Sequence, residues 1–497
     1  MLFNSLGYLF LFLPAVVLIY YMLNKLKLML GAKMALLFAS LVFYSYWNIR
    51  DLPIIIVSIA FNYLIARGLT DGAAVSTRRK IIFLVGISTN IILLLFYKYT
   101  DFLVTEINLI TNSKISELNL RLPLGISFFT LTQMAFLFDV YRRQVEDYNV
   151  VHYSLFVTFF PHLLAGPILH HREMMPQFDR LRNKVFNVKN ITKGLALLSI
   201  GLFKKVVIAD YLATWADYGF DIAKQQSFIE AWITSLSYTF QLYFDFSGYT
   251  DIAVGSALLF NIHLPINFNS PYKSLNIKEF WRRWHITLSR FLRDYVYIPL
   301  GGNRTSKMRT TINVLITFII GGIWHGAGWG FIIWGILHGI AYAMHRQWVK
   351  FNIRIPDILA WLITFNFINI TWIFFRGRTL DDTKRVLRAM LSMPDLHLIS
   401  VADAFAQFLL DTLKLIQDED KFAALSSVLN HLGGSMNNKV GILSIALAIC
   451  LFSNNSNEII RDFQATHKNA VAYGLCMILA LLSLKYVTLA KFLYFNF

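Results

Sequence analysis

The sequence predicts an all-α, polytopic membrane protein of about 10–13 membrane segments, and three observations carry that reading. The 497 residues are 56% hydrophobic and 15% charged, with a mean hydropathy of +0.52, too apolar for a soluble domain of this length. Apolar runs recur from one end to the other at the ~20-residue length a helix needs to cross a ~30 Å hydrocarbon layer. The short alternating strands of an outer-membrane barrel are missing. The net charge of +17 sits in short connections between apolar runs, the positive-inside pattern, and so points to a bilayer and away from nucleic acid.

Spans are expected at about 6–24, 34–47, 52–69 and 81–97. The run from Leu6 to Leu23 lacks a basic segment before it and a small-residue cleavage site, and reads as an anchor that stays. Lys25, Lys27 and Lys33 fill the first connection and Arg67, Arg78, Arg79 and Lys80 the third, against Asp71 alone. The connection 98–121 instead balances Lys98, Lys114 and Arg121 with Asp101, Glu106 and Glu117, which puts the N-terminus outside. Residues 1–121 thus form an N-terminal helical unit.

A core unit is expected over 122–376. Pro123 and Gly125 open one apolar run, and Pro161, Gly166 and Pro167 interrupt 159–169, so these segments are expected to be broken or re-entrant. The basic stretch 171–193 reads as cytoplasmic, and long runs follow at about 191–211 and 230–260. The second of these holds Asp245 and Asp251 beside Ser247, Tyr249 and Thr250 at membrane depth. These carboxylates are expected to be structural, satisfied by one another's neighbours or by a broken helix end.

Residues 271–309 carry nine Lys or Arg against Glu279 and Asp294, which places them in the cytoplasm. Phe280, Trp284, Phe291 and Tyr295 share one helical stripe while Lys278, Arg282, Ser289 and Arg293 share another, predicting an interfacial amphipathic helix. Such a basic stripe serves either anionic lipid or a phosphorylated ligand such as a coenzyme A. His285 lies beside it, positioned to face inward.

The stretch 320–339 places His325 and His338 among seven glycines in an otherwise apolar run. An ionisable group in hydrocarbon costs a few kcal/mol and faces a bundle interior or cavity. Glycines there let a helix break and another backbone approach closely. His325 is therefore read as the base of a pocket, with glycine-mediated packing around a bonded histidine and a metal or haem ligand as the alternatives. Two helices of about fifteen residues are expected to flank the break, with Gly335, His338, Tyr342 and His345 on one face of the second.

A span at about 358–375 returns the chain to the outside, and 377–439, with nearly balanced charges, is expected to be external. Leu380, Leu387 and Leu391 suggest a surface helix there. Spans at about 440–453 and 471–490 bring an aromatic tail, 491–497, outside, completing a C-terminal unit over 440–497. Cys450 and Cys476 fall in these apolar runs and read as core packers, which leaves no thiol chemistry. No metal site, P-loop or dinucleotide fingerprint is assigned.

The segments PLGISFFT (123–130), FFPHLLAGPI (159–168), FQLYFDFSGYTDIA (240–253), the long block 264–304 containing FWRRWH, WHGAGWGFIIWGILHG (324–339) and WIFFRG (372–377) occur in order along nearly the whole chain. Together they resemble the membrane-bound O-acyltransferases, within them the bacterial branch of alginate O-acetylation proteins and their D-alanyl teichoic acid relatives. Length and the FLYFNF ending look more like the alginate type.

The resemblance implies a bundle around a central funnel and a multi-pass protein of the bacterial inner membrane. It also implies transfer of an acyl group, acetyl foremost, from a cytoplasmic thioester toward an extracytoplasmic polysaccharide through an acyltransferase-type partner protein. The donor would be acetyl-coenzyme A or an acyl carrier protein, with no bound cofactor. His325 matches the family's catalytic histidine and His285 its second. Trp324, Gly326, Trp329, His338, Arg282 and Arg293 are the accompanying candidates for the tunnel and donor site. Competing readings are D-alanyl-type transfer from a carrier protein, a transporter whose buried histidines relay protons, and a silent scaffold of the same fold.

Overall fold

The computed structural model describes residues 1–70, 76–145, 148–393, 436–486 and 492–493. Among them the chain is helical, without a β-strand. The N-terminal unit holds α1 (Gly7–Lys25), α2 (Met29–Ser45), α3 (Leu52–Thr70) and α4 (Thr77–Thr111). The core follows with α5 (Ile126–Tyr141), α6 (Val150–Thr158), α7 (His171–Asp179), α8 (Val188–Leu202) and α9 (Phe228–Leu258). Next come α10 (Ile277–Arg283), α11 (Ile286–Leu292), α12 (Lys307–His325), α13 (Trp329–Trp348) and α14 (Asp357–Arg376). The chain closes with α15 (Leu380–Met390), α16 (Met436–Phe452) and α17 (His467–Tyr486).

Among the described residues five helices are long and apolar enough to cross a bilayer, Gly7–Lys25, Ile49–Thr70, Thr77–Thr111, Asp357–Arg376 and His467–Leu484, and Met29–Ser45, Ile126–Tyr141 and Asn438–Phe452 are shorter apolar helices. The protein is a multi-pass, all-α membrane protein.

Two local outcomes differ from the sequence pattern. Helix α4 does not end near 97. It starts on the Ser76 cap, whose hydroxyl accepts from the Arg79 N–H, and runs 35 residues to Asn112, which adopts a left-handed conformation (φ 52°). At 1.5 Å per residue it is about 52 Å long. Lys98, counted above as a loop charge, therefore lies inside a helix. Second, the stripe expected on one amphipathic helix is divided between α10 and α11, because His285 takes a left-handed backbone (φ 43°, ψ 53°) between them.

Helix α9 opens with a capping box between Ser227 and Glu230 and is buried along most of its length. Its two aspartates are held by neighbouring cations. Asp245 accepts from Lys205 (2.6 Å), which also meets Asp210 (2.6 Å), and Asp251 accepts from Lys204 (2.7 Å) and the Ser456 hydroxyl (2.6 Å). Removing one partner from a buried pair costs about 3–5 kcal/mol, so these contacts tie the segment Phe203–Ala209, which follows α8, to α9. The Leu493 N–H donates to Asp245 Oδ2 (3.0 Å), and Phe492, 2% exposed, stacks on Tyr249 with ring centres 4.2 Å apart. The aromatic tail expected at the surface is thus tucked in at 492–493; the rest of it lies outside the described residues, as does most of the expected external region.

Of that region α15 is described. It buries Thr383, Val386, Ala389 and Met390 against the bundle and leaves Leu391 exposed, so its apolar face is spent on protein. Cys450 is buried and Cys476 half-buried, both as free thiols.

Candidate active site

Helices α12 and α13 form the hairpin that carries the site. Their close approach requires glycine: a Cβ on Gly335 would lie 2.6 Å from the Phe318 carbonyl oxygen, and one on Gly322 would strike that of Phe331. The turn between them is Gly326-Ala327-Gly328, and His325 is the last helical residue of α12, 3% exposed. Gly326 itself is extended, and its hydrogen is needed because a Cβ there would enter the Phe331 ring.

Ending a helix inside a bundle strips its last carbonyls of intrahelical partners. Two adjacent residues of α4 supply them. Lys98 Nζ donates to the carbonyl oxygens of Trp324 (2.5 Å) and His325 (2.9 Å), and the Tyr99 hydroxyl donates to that of Gly326 (2.9 Å) while touching that of Ile323. A cation at a helix C-terminus also complements the helix dipole. Around the imidazole of His325, ring centres lie at 4.9 Å for Trp324, 5.1 Å for Phe375, 5.2 Å for Trp334 and 6.4 Å for His285. The Trp324 indole is itself fixed by donation to the Ser127 carbonyl (3.1 Å).

His285 is fully buried. Its left-handed turn is held by Asn267, whose Oδ1 accepts from the Thr287 N–H (3.2 Å) and hydroxyl (3.0 Å) and faces His285 Nδ1 at 3.1 Å. An oxygen that accepts from Thr287 also accepts from Nδ1, so the imidazole carries its hydrogen there and Nε2 is the basic nitrogen.

A cavity of about 740 Å³ joins His325 to the surface. Its wall includes His325 and Trp334 at depth and Lys278, Arg282, Arg293 and Arg346 toward the exposed end. The cations are not equivalent. Arg293 pairs with Asp294 (2.7 Å), whereas no carboxylate pairs with Lys278, Arg282 or Arg346 among the described residues. Two enclosed donors in this wall, Trp334 Nε1 and Arg346 Nη1, have no hydrogen-bond partner among the described residues.

The structure thus brings together His325, His285, Trp324 and Gly326, and sets Arg282 and Arg293 in the same cavity wall. Two sequence candidates lie elsewhere. Trp329 is 48% exposed and donates to Glu106 (2.8 Å), because the turn after Gly326 sends its side chain away from the cavity. His338 is buried behind the wall, where Nδ1 accepts from the Trp281 indole (3.2 Å) and Nε2 meets the Thr371 hydroxyl (3.0 Å), so both ring nitrogens are engaged in packing contacts. Lys98, Tyr99 and Asn267 also build the site but carry no local signal in the sequence, since each acts on a segment distant from it. Among the described residues no cluster of three or more His, Cys, Asp or Glu has the arrangement of a metal site.

A family model described as the membrane-bound O-acyltransferase family matches residues 41–377. The chain is 45% identical over 529 aligned positions to the peptidoglycan O-acetyltransferase of Helicobacter pylori, covering 100% of this chain and 98% of that one. It is 40% identical to the "Probable alginate O-acetylase AlgI" of Pseudomonas aeruginosa, over 79% of this chain and 75% of that one. It is 29% identical to the teichoic acid D-alanyltransferase of Bacillus subtilis, over 52% and 70%. The family match over residues 41–377 and the end-to-end relative identify the chain as an acyltransferase, and it belongs to the membrane-bound O-acyltransferase family.

Proposed function

We propose that the protein O-acetylates a cell-envelope glycan, peptidoglycan foremost, drawing the acetyl group from a cytoplasmic thioester. The observation that carries the reading is the cavity that joins exposed cations to His325. Its size is that of a small-molecule site, about 300–1,000 Å³. Arg282, Lys278 and Arg346, which pair with no carboxylate among the described residues, suit a phosphate-bearing donor such as acetyl-coenzyme A. End-to-end similarity to a protein named for peptidoglycan O-acetylation favours that acceptor over alginate.

A thioester is already activated, so the protein has three tasks: to place an acceptor hydroxyl, to take its proton and to exclude water. His325 accepts the proton as the hydroxyl oxygen bonds to the acyl carbon; the carbon–sulfur bond then breaks, and the proton returns to the departing thiolate. General-base help of this kind is typically worth 10²–10⁴-fold. The backbone exposed at the α12 end is carbonyl rather than N–H and is already claimed by Lys98 and Tyr99, so the oxyanion needs another donor. The enclosed indole N–H of Trp334, beside His325, fits that role. His285 supports the site from 6.4 Å. The acetyl group passes outward to the glycan with a partner protein on the external side, and both termini face that side. The family assignment sets the transporter reading aside.

The test supplies membranes with radiolabelled acetyl-coenzyme A or acetyl-acyl carrier protein, in separate reactions, for wild type and His325→Ala at matched expression. Label transfer to glycan from acetyl-coenzyme A, lost in His325→Ala, is expected. Transfer from the carrier protein alone would replace the donor, and transfer that survives the substitution would move the chemistry away from His325 and revive the scaffold reading.

A further inference from the structure

A second cavity, of about 280 Å³, lies between α8 and the segment that follows it, the C-terminal half of α9, the loop 263–268 and the short helix Ser456–Arg461 with its cap Asn455. It shares no lining residue with the larger cavity. Lys193, Lys204, His263 and Arg461 line it with one carboxylate, Asp251. That carboxylate is already held by Lys204 and Ser456, and Arg461 faces Asp462. Lys193 gives one N–H to the Ile460 carbonyl (2.7 Å), and no carboxylate pairs with it among the described residues. The field at the mouth is positive: partial burial and then Lys193, Arg182 and Arg180 hold the His263 imidazole below its usual range.

The inner wall is the informative part. Ser247, Thr250 and Asn267 line this cavity and are only 2%, 4% and 1% exposed, and Ser247 Oγ, Thr250 Oγ1 and Asn267 Nδ2 are enclosed atoms with no hydrogen-bond partner among the described residues. Buried polar atoms are rarely left so. All three can donate, and Asp251 Oδ2 is already engaged by Lys204 and Ser456. Enclosed donors behind a cationic mouth are complementary to a tetrahedral oxyanion. Basic pockets between transmembrane helices at the cytoplasmic face are where anionic headgroups bind.

We propose that this second cavity binds a phosphate group, with Ser247, Thr250 and Asn267 donating to its oxygens and Lys193 balancing its charge. The two sources of that chemistry at a membrane face are an anionic phospholipid and free phosphate. The Asn267 amide then ligates the phosphate through Nδ2 while holding His285 and Thr287 through Oδ1.

The full-length protein in phosphatidylcholine nanodiscs is titrated with phosphatidylglycerol in one series and inorganic phosphate in another. Bound phosphatidylglycerol is counted by native mass spectrometry, and thermal unfolding is followed in both series. The variant is Lys193→Gln/Thr250→Val, in which the second change removes a hydroxyl at constant shape. We expect retained phosphatidylglycerol and a raised Tm for wild type, with at least a tenfold weaker response in the variant, whose Tm in phosphatidylcholine alone stays at the wild-type value. Protection by inorganic phosphate instead would assign the free anion as the source. Absence of protection of wild type by either probe would overturn the site, whatever the variant does, and so would equal binding by a folded variant, because the wall would then hold water only.

Discussion

The ammonium of Lys98 donates to the carbonyl oxygen of His325 at 2.9 Å. This bond lets α12 stop at its histidine inside the bundle, since the same ammonium also donates to the Trp324 carbonyl oxygen (2.5 Å) and so complements the negative end of the helix dipole. Removing it leaves two buried carbonyls without donors and frees the backbone that aims His325. Lys98→Met is expected to lower the rate of acyl transfer by about 10–100-fold, with donor KM within about threefold of wild type, because misplacement of a reacting group acts on the chemical step. Lys98→Arg, which keeps charge and donors, should recover part of kcat. Steady-state kinetics in membranes, with Tm as the control, decide it: a drop in Tm with kcat per folded protein unchanged would reduce Lys98 to a structural cap.

The mouth of the large cavity makes a graded prediction. Arg282 is exposed and has no acidic partner among the described residues, whereas Arg293 is paired with Asp294. If a phosphorylated donor lands there, Arg282→Glu raises donor KM by about 3–10-fold, more than Arg293→Glu does, and the effect shrinks as salt rises. Donor KM measured at low and high ionic strength reads both. Equal, salt-independent effects of the two substitutions would mean that the basic rim does not contact the donor.

His338 and His325 are both buried histidines of the same hairpin, and they should behave differently. The Trp281 indole, itself in the cavity wall, donates to His338 behind it, and His338 meets the Thr371 hydroxyl. His338→Ala should therefore cost about 2–3 kcal/mol of stability through a cavity and an unpaired indole, while activity per folded molecule stays within about threefold. His325→Ala should do the reverse, losing about 10²–10⁴-fold in rate with little change in Tm. A denaturation series on both variants, normalised to folded protein, separates the roles.

These contrasts show what a linear chain displays. His325 was legible because glycines flanked a histidine in an apolar run, a local pattern. The long apolar helices were legible for the same reason, as length and hydropathy are local. Lys98 was not: a cation near the end of an apolar run looks like the first residue of a loop, and only the packing of α4 on the α12 terminus makes it part of the site. The division between α10 and α11 was hidden by an intact amphipathic stripe, because Asn267, eighteen residues upstream of His285, supplies the bond that holds the left-handed turn. Trp329 and Trp334 share one glycine-rich run, and it is Trp334 that lines the cavity while Trp329 is exposed.

Trp334 gives the sharpest test of the chemistry. Its indole packs 5.2 Å from His325, lines the cavity and carries an enclosed N–H with no acceptor among the described residues. A donor left unsatisfied in the resting protein and satisfied by a developing oxyanion stabilises the transition state selectively. Trp334→Phe keeps an aromatic wall and deletes the N–H. The rate should fall by about 10–100-fold, at or below the 10²–10³ typical of a lost oxyanion donor, while Tm changes only through the smaller ring. Donor KM should stay near wild type, because the ground-state carbonyl gains less from the donor than the oxyanion does. A rise in KM with kcat unchanged would assign the indole to ground-state binding, and unchanged kinetics in folded protein would leave the oxyanion without a donor from this wall.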